Sequence, residues 1–80
     1  MSRYRLLYFA SLADRAGCAA ETIASEAIDA RGLYAALRAR HGFALPPERL
    51  RVAVNGAFAS WDHALADGDE VAFLPPVSGG

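Results

Sequence analysis

The group with the clearest chemical use in this sequence is the carboxylate of Gly80, at the end of Pro75-Pro76-Val77-Ser78-Gly79-Gly80. Proline fixes φ and holds the residue before it in extended geometry, so residues 74–77 are predicted to leave the domain as a stiff arm. A preordered arm loses less entropy on entering a partner's groove. Gly79 and Gly80 carry no Cβ, so they fit a channel too narrow for a side chain and accept any φ it demands. A carboxylate is inert until activated, but its oxygen can attack the α-phosphate of ATP. The resulting acyl-adenylate accepts sulfur and becomes a thiocarboxylate. Such a cycle uses a backbone group as the covalent handle and needs no catalytic side chain and no bound cofactor here. Chain ends are commonly frayed. What separates this one from a loose terminus is the proline pair following directly on an apolar strand.

The other reactive side chains fit bland roles better. Cys18 could be imagined as a persulfide carrier, but thiolate reactivity needs an electropositive setting and only Arg15 is near in sequence. A single cysteine also excludes an internal disulfide framework. His41 lies at a helix end and His63 in a loop, without the spaced partners of a metal site. Asp67, Asp69 and Glu70 lack the ligand ladder of a calcium loop and suit a tight turn at Gly68. Trp61 and Phe58 read as core or underside packing rather than a ligand platform.

Eighty residues allow one small core, which favours a binding or carrier module over an enzyme with its own cleft. Hydrophobic residues make up 54% and charged residues 21%, a globular balance. All eight basic residues are Arg, spread over the first two-thirds, and the net charge is −1. That pattern argues against nucleic acid, which needs a positive patch. Neither a signal-peptide core nor a membrane-length apolar run is present, so the expectation is a cytoplasmic protein with no membrane partner.

The elements that must position the tail follow from local pattern. Residues 3–9 read as a largely buried strand. Residues 10–16 suggest a helical turn with Leu12 and Ala16 on one face, closed by Gly17. Residues 21–24 make a second strand, with Ile23 taken as inward and Glu21 and Ser25 as outward. Asp29 should N-cap a helix over residues 30–41, with Leu33, Ala36, Leu37 and Arg40 on one face and Gly42 past its end. Gly32 in the first turn is expected to weaken it. Arg38 and Arg40 complement the helix dipole or face water. After the break at Pro46-Pro47, residues 51–54 and 57–59 form a hairpin through Asn55-Gly56. Asp67-Gly68-Asp69 is a second tight turn, and residues 70–74 the last strand. The expected class is α+β: residues 1–74 as a two-layer domain with one main helix on one sheet face, and residues 75–80 as a tail. The other sheet face stays partly open for a partner.

Residues 67–80, DGDEVAFLPPVSGG, strongly resemble the C-terminal signature of the MoaD/ThiS sulfur-carrier family, in its molybdopterin synthase small-subunit branch. The likeness extends to Val54-Asn55-Gly56, Asp62-His63-Ala64-Leu65 and Tyr8-Phe9-Ala10 with Leu12 and Gly17. Ala13 and Asp14 stand where the family often has an Arg and an acid, and Leu74 where it often has Phe. The resemblance implies a ubiquitin-like β-grasp fold with a mixed sheet. It implies that an ATP-dependent activating enzyme adenylates Gly80, that a sulfur donor makes the thiocarboxylate, and that the tail enters a large catalytic subunit. There the sulfur passes to cyclic pyranopterin monophosphate, two transfers giving the dithiolene of molybdopterin. The chain would then be a non-catalytic subunit in a heterotetramer of two small and two large subunits. By position, Val77, Ser78 and Gly79 would line the channel, and Phe9, Leu74, Pro75 and Pro76 would form the apolar contact patch. Other readings are a sulfur carrier for thiazole or cysteine synthesis, a modifier joined to lysines of other proteins, and an interaction domain with an inert tail.

Overall fold

Alternation in the first strand sets the architecture. β1 (Ser2–Tyr8) turns Tyr4, Leu6 and Tyr8 into the core, while Arg3 and Arg5 face water and Leu7 is half-buried. It is therefore a one-sided strand, not the largely buried one its composition suggests. In this computed structural model the residues described are 1–76; Val77, Ser78, Gly79 and Gly80, which carry most of the tail expectation, lie outside them.

A six-residue helix α1 (Ser11–Ala16) follows, burying Leu12 and ending at Gly17 with φ 77°. Then come β2 (Ala20–Ser25), α2 (Ala30–His41), a 3-10 turn at Pro47–Arg49, β3 (Arg51–Val54), β4 (Ala57–Ala59) and β5 (Glu70–Leu74). The five strands form one sheet in the order β2-β1-β5-β3-β4. β1 and β5 run parallel at its centre, and the other pairs are antiparallel. With α2 across one face, this is the expected ubiquitin-like β-grasp with a mixed sheet.

The ends of α2 account for their own polar groups. A helix leaves its first N–H groups without internal partners. Here Ala30 donates to the His63 carbonyl (3.2 Å), Arg31 to the Trp61 carbonyl (2.9 Å) and Gly32 to Asp29 Oδ1 (2.8 Å). The segment after β4 is thus a second cap for the helix as well as a connection. A Cβ at Gly32 would sit 3.2 Å from the capping oxygen, so the glycine suits the tight cap that its low helix propensity argues against. At the far end Gly42, with φ 72°, donates to Arg38 O (2.8 Å), and Arg38 donates to Phe43 O (3.1 Å). Replacing Asp29 with Ala should lower unfolding stability by about 1 kcal/mol, read as a shift of the urea midpoint without a change in slope.

The helix presents Ala30, Leu33, Tyr34 and Leu37 to the sheet. Ala36 and Arg40 are exposed, so the buried stripe is rotated from the expected 33/36/37/40 face. Tyr34 draws the helix round: its ring lies 5.3 Å from Phe73, 5.6 Å from Trp61 and 6.0 Å from Phe43, and its hydroxyl donates to Leu45 O (2.7 Å). Trp61 stacks on Phe73 at 6.0 Å, a packing residue as its size suggests.

β2 corrects a second expectation. Glu21 and Ser25 each stand two residues from Ile23 and so lie on its side of the sheet, because side chains in a strand alternate with period two. Glu21 accepts 2.6 Å hydrogen bonds from the Tyr8 hydroxyl and from His41 Nε2, with only 19% of its side chain and 13% of that of His41 exposed. Burial alone would raise the Glu21 pKa. The hydrogen bonds from Tyr8 and His41, with the charges of His41 and Arg40, outweigh it and hold the carboxyl below its ordinary 4.5. Burial first, then the bond to Glu21, pushes the Tyr8 hydroxyl far up, so it stays protonated. The sign follows directly. A folded-state pKa below the unfolded one gives stability present above about pH 4.5 and lost as pH falls through the folded value. Glu21→Gln should flatten the fall of Tm with acid below that pH, measured by thermal melts from pH 6 downward.

Candidate functional site: the open sheet face beside the tail

The face of the sheet away from α2 is assembled by strand register. Leu7 pairs with Ala72, Ala72 with Ala53, and Ala53 with Phe58, giving one apolar row across four strands. Leu74 and Arg51 pair in the neighbouring row on the side where the chain leaves β5. On the other side Arg5 pairs with Glu70, and their side chains make a 3.5 Å ion pair that is too exposed to add much stability. The face is therefore apolar along its middle row, with Leu74 beside Arg51 at the tail end and the Arg5–Glu70 pair at the opposite end.

Two alanines, Ala53 and Ala72, form the floor of a shallow depression of about 280 Å³ ringed by Leu7, Phe9, Phe58 and Leu74. Phe9 is 45% and Phe58 64% exposed, an unusual pair of aromatics to leave in water. Arg51 lies over the Phe58 ring, Cζ 4.3 Å from its centroid, which orders both groups. Pro75 and Pro76 continue from β5 along a second groove with Arg49, Arg51, Phe58 and Leu74.

The structure brings Phe9, Leu74, Pro75 and Pro76 to one end of one face. Gly80, Gly79, Ser78 and Val77 lie outside the described residues. Of the two places expected for Phe58, core or underside, the structure gives the open underside, where it borders the patch. Leu7, Ala53, Ala72 and Arg51 also belong to it. Period-two alternation carried the signal, since Ala53 and Ala72 sit opposite the buried Val52, Val54, Val71 and Phe73.

The patch rests on rigid ends. Ala10 takes φ 52° and ψ −125°, a region that residues other than glycine rarely occupy, and this sharp turn separates Phe9 from α1. Asn55 (φ 52°) and Gly56 (φ 85°) make the β3–β4 turn, as the sequence suggests. Asn55 Nδ2 donates to Asp69 Oδ1 (2.9 Å), and its own Oδ1 accepts from the Glu70 N–H (2.9 Å). Asp69 also accepts from the Ala66 N–H (2.8 Å); that bond first, then the one from Asn55, holds its carboxyl below the usual range. Asp67 accepts from the Arg3 N–H (2.7 Å). These acids brace the turns. Cys18 is half-buried against the core. Among the described residues no group of three or more His, Cys, Asp or Glu could hold a metal, and no helix is long and apolar enough to cross a membrane.

Known proteins share the fold and part of the sequence. The chain is 40% identical over 79 residues to the molybdopterin synthase sulfur carrier subunit of Escherichia coli K12, covering 95% of this chain and 98% of that one. Among solved structures it is similar to SAMP1 from Haloferax volcanii, with TM-score 0.82, 29% identity and coverage of 99% and 100%. It is similar also to a chain in the complex of subunits 1 and 2 of molybdopterin-converting factor from Helicobacter pylori 26695, with TM-score 0.67, 25% identity and coverage of 98% and 99%. The ThiS family model matches residues 6–80, so the match includes the open face and the C-terminal glycines, and the chain belongs to the ThiS family.

Proposed function

We propose that this chain is the sulfur-carrier subunit of a molybdopterin synthase, with Gly80 as the group that carries sulfur. The observation that carries the reading is the position of the signature: β5 ends at Leu74 beside the apolar row of an open face, and Pro75-Pro76-Val77-Ser78-Gly79-Gly80 follows at once. The 40% identity to the Escherichia coli sulfur carrier subunit supports the pathway. In this account residues 1–74 are the docking domain and residues 75–80 the arm.

An activating enzyme binds the open face and adenylates Gly80 with ATP; a sulfur donor displaces AMP to leave the thiocarboxylate. The large subunit then takes the same face, with Val77, Ser78 and Gly79 in its channel, and transfers the sulfur to cyclic pyranopterin monophosphate. Phe9, Leu74, Pro75 and Pro76, joined by Leu7 and Phe58, form the contact. The small subunit is non-catalytic: it holds no cofactor and delivers a substrate-like group to two enzymes in turn. A heterotetramer of two small and two large subunits in the cytoplasm completes the proposal.

The thiocarboxylated chain, mixed with the large subunit and the pyranopterin, should yield dithiolene product and no thiazole with a thiazole synthase. The reverse result transfers the chain to another sulfur pathway. Phe58→Asp should weaken binding of the large subunit by about 2 kcal/mol or more, roughly thirtyfold, without lowering Tm, because it buries a charge in the contact but sits exposed in the free chain. The likeness to SAMP1, a small archaeal modifier protein, favours a modifier as the second reading. Recovery of the chain in amide linkage to lysines of other proteins would support it.

A further inference from the structure

β2 is an edge of the sheet, and only one of its two sides is used. Leu7 stands opposite Ala20, so Tyr8 stands opposite Ala19, and the Tyr8 N–H donates to the Ala19 carbonyl (2.9 Å). Tyr8 and Ala19 are thus a hydrogen-bonded pair, and such pairs alternate along an antiparallel ladder. The backbones of Glu21, Ile23 and Ser25 therefore point to β1, and those of Ala20, Thr22 and Ala24 point away from the sheet. Among the described residues nothing donates to or accepts from these outward groups.

Folded proteins blunt such an edge with proline, lysine, a bulge or a covering element. β2 reads Ala-Glu-Thr-Ile-Ala-Ser, holds an unbroken register with β1, and has none of these guards. Thr22 and Ala24 are small and exposed. The one charged side chain, Glu21, is taken up by Tyr8 and His41. The opposite edge, β4, is only three residues long and offers a much shorter template.

The edge is also complementary to itself. With Thr22 on a two-fold axis, an antiparallel copy sets Ala20 against Ala24 and Glu21 against Ile23. Each opposed pair of outward residues exchanges two hydrogen bonds, so all the free N–H and carbonyl groups of Ala20, Thr22 and Ala24 are satisfied at once. No like charges meet, whereas a register with Glu21 on the axis would oppose two carboxylates. Arg5 lies beside Thr22 on β1. The two copies of Arg5 would be three strand spacings apart, about 14 Å, which exceeds the screening length at physiological salt.

We propose that the free chain pairs with a second copy of itself through β2, antiparallel about Thr22, as a reversible homodimer. The interface is isologous, so association through this edge closes at two chains. Backbone hydrogen bonds between small side chains make a weak contact, with a dissociation constant on the order of 100 µM. Leu74 and Phe58 lie beyond β1, on β5 and β4, so the contact patch stays open in the dimer.

Sedimentation equilibrium of the full chain, from about 10 µM to about 2 mM, should show the mean mass rising from 8.5 kDa toward twice that value. Over the same range the amides of Ala20, Thr22 and Ala24 should exchange with deuterium about fivefold more slowly, as mass action on a weak dimer requires. Those of Glu21, Ile23 and Ser25, already bonded to β1, should change little. Thr22→Pro removes the N–H on the axis, a position where an edge strand accepts proline. Thr22→Lys sets like charges against each other there. Thr22→Lys should stay at 8.5 kDa throughout with the wild-type Tm, and Thr22→Pro should match it. Phe58→Asp should dimerise as wild type does. A wild type that remains monomeric over the whole range leaves the edge to a strand of another protein and overturns the proposal. So does a dimer that survives Thr22→Lys and is lost in Phe58→Asp, which would place the contact on the patch. No sulfur chemistry enters this measurement, so either result leaves the carrier reading to its own tests.

Discussion

Deleting Gly80 should reduce molybdopterin formation to background while leaving the Tm of the free chain unchanged. The shortened arm still ends in a glycine carboxylate, that of Gly79, so the chemistry of the group is preserved and only its position changes. One residue of extended chain is about 3.5 Å. Misplacing a reacting atom by about 1 Å can already cost a hundredfold in rate, so a shift of this size should remove turnover altogether. Stability should not follow, because the buried core ends at Phe73. Product formation with the large subunit measures the first effect and a thermal melt the second. Substantial turnover from the shortened chain would show that the last carboxylate is not delivered to a fixed point.

Phe73→Ala should have the opposite signature, a loss of fold ahead of any loss of chemistry. Phe73 is fully buried and lies against Tyr34 and Trp61 on the strand paired with both β1 and β3. Removing such a ring costs about 3–5 kcal/mol. A chain of this length has about 4–12 kcal/mol in all, so much of the population should unfold near body temperature. Leu74, one residue on, points to the open face. Leu74→Ala should leave urea unfolding nearly unchanged and weaken binding of the large subunit instead. Adjacent residues with opposite readouts test the alternation of β5 directly.

What could be read from sequence was what local chemistry decides. Asp29 and Gly42 bound α2 where they were expected, Asn55-Gly56 and Gly68 turn the chain, and the elements come in the anticipated order. Features set by distant partners were harder. The stripe of α2 is fixed by Tyr34, whose ring meets Phe73, Trp61 and Phe43 and whose hydroxyl finds Leu45. Its position in sequence does not reveal those four contacts. Glu21 looked solvent-facing because it is an acid, yet strict alternation already placed it with Ile23, and Tyr8 and His41 supply the partners that let it lie inward. Phe58 could be core or underside from its residue type alone. Its place on the open face follows from pairing with Ala53, and strand order at the centre of a mixed sheet is not written in any local pattern. The proposed contact patch was visible only in its aromatic and proline rim; its alanine floor carries no chemical signature until the strands are laid side by side.

The central claim is that sulfur is carried on the terminal carboxylate, and intact mass after activation tests it most directly. The chain is combined with its activating enzyme, ATP and a sulfur donor, then weighed. The expected result is a gain equal to the replacement of one oxygen by sulfur, retained in Cys18→Ala and absent when Gly80 is deleted. A chain that stays unmodified, or a gain that disappears with Cys18, would contradict the account.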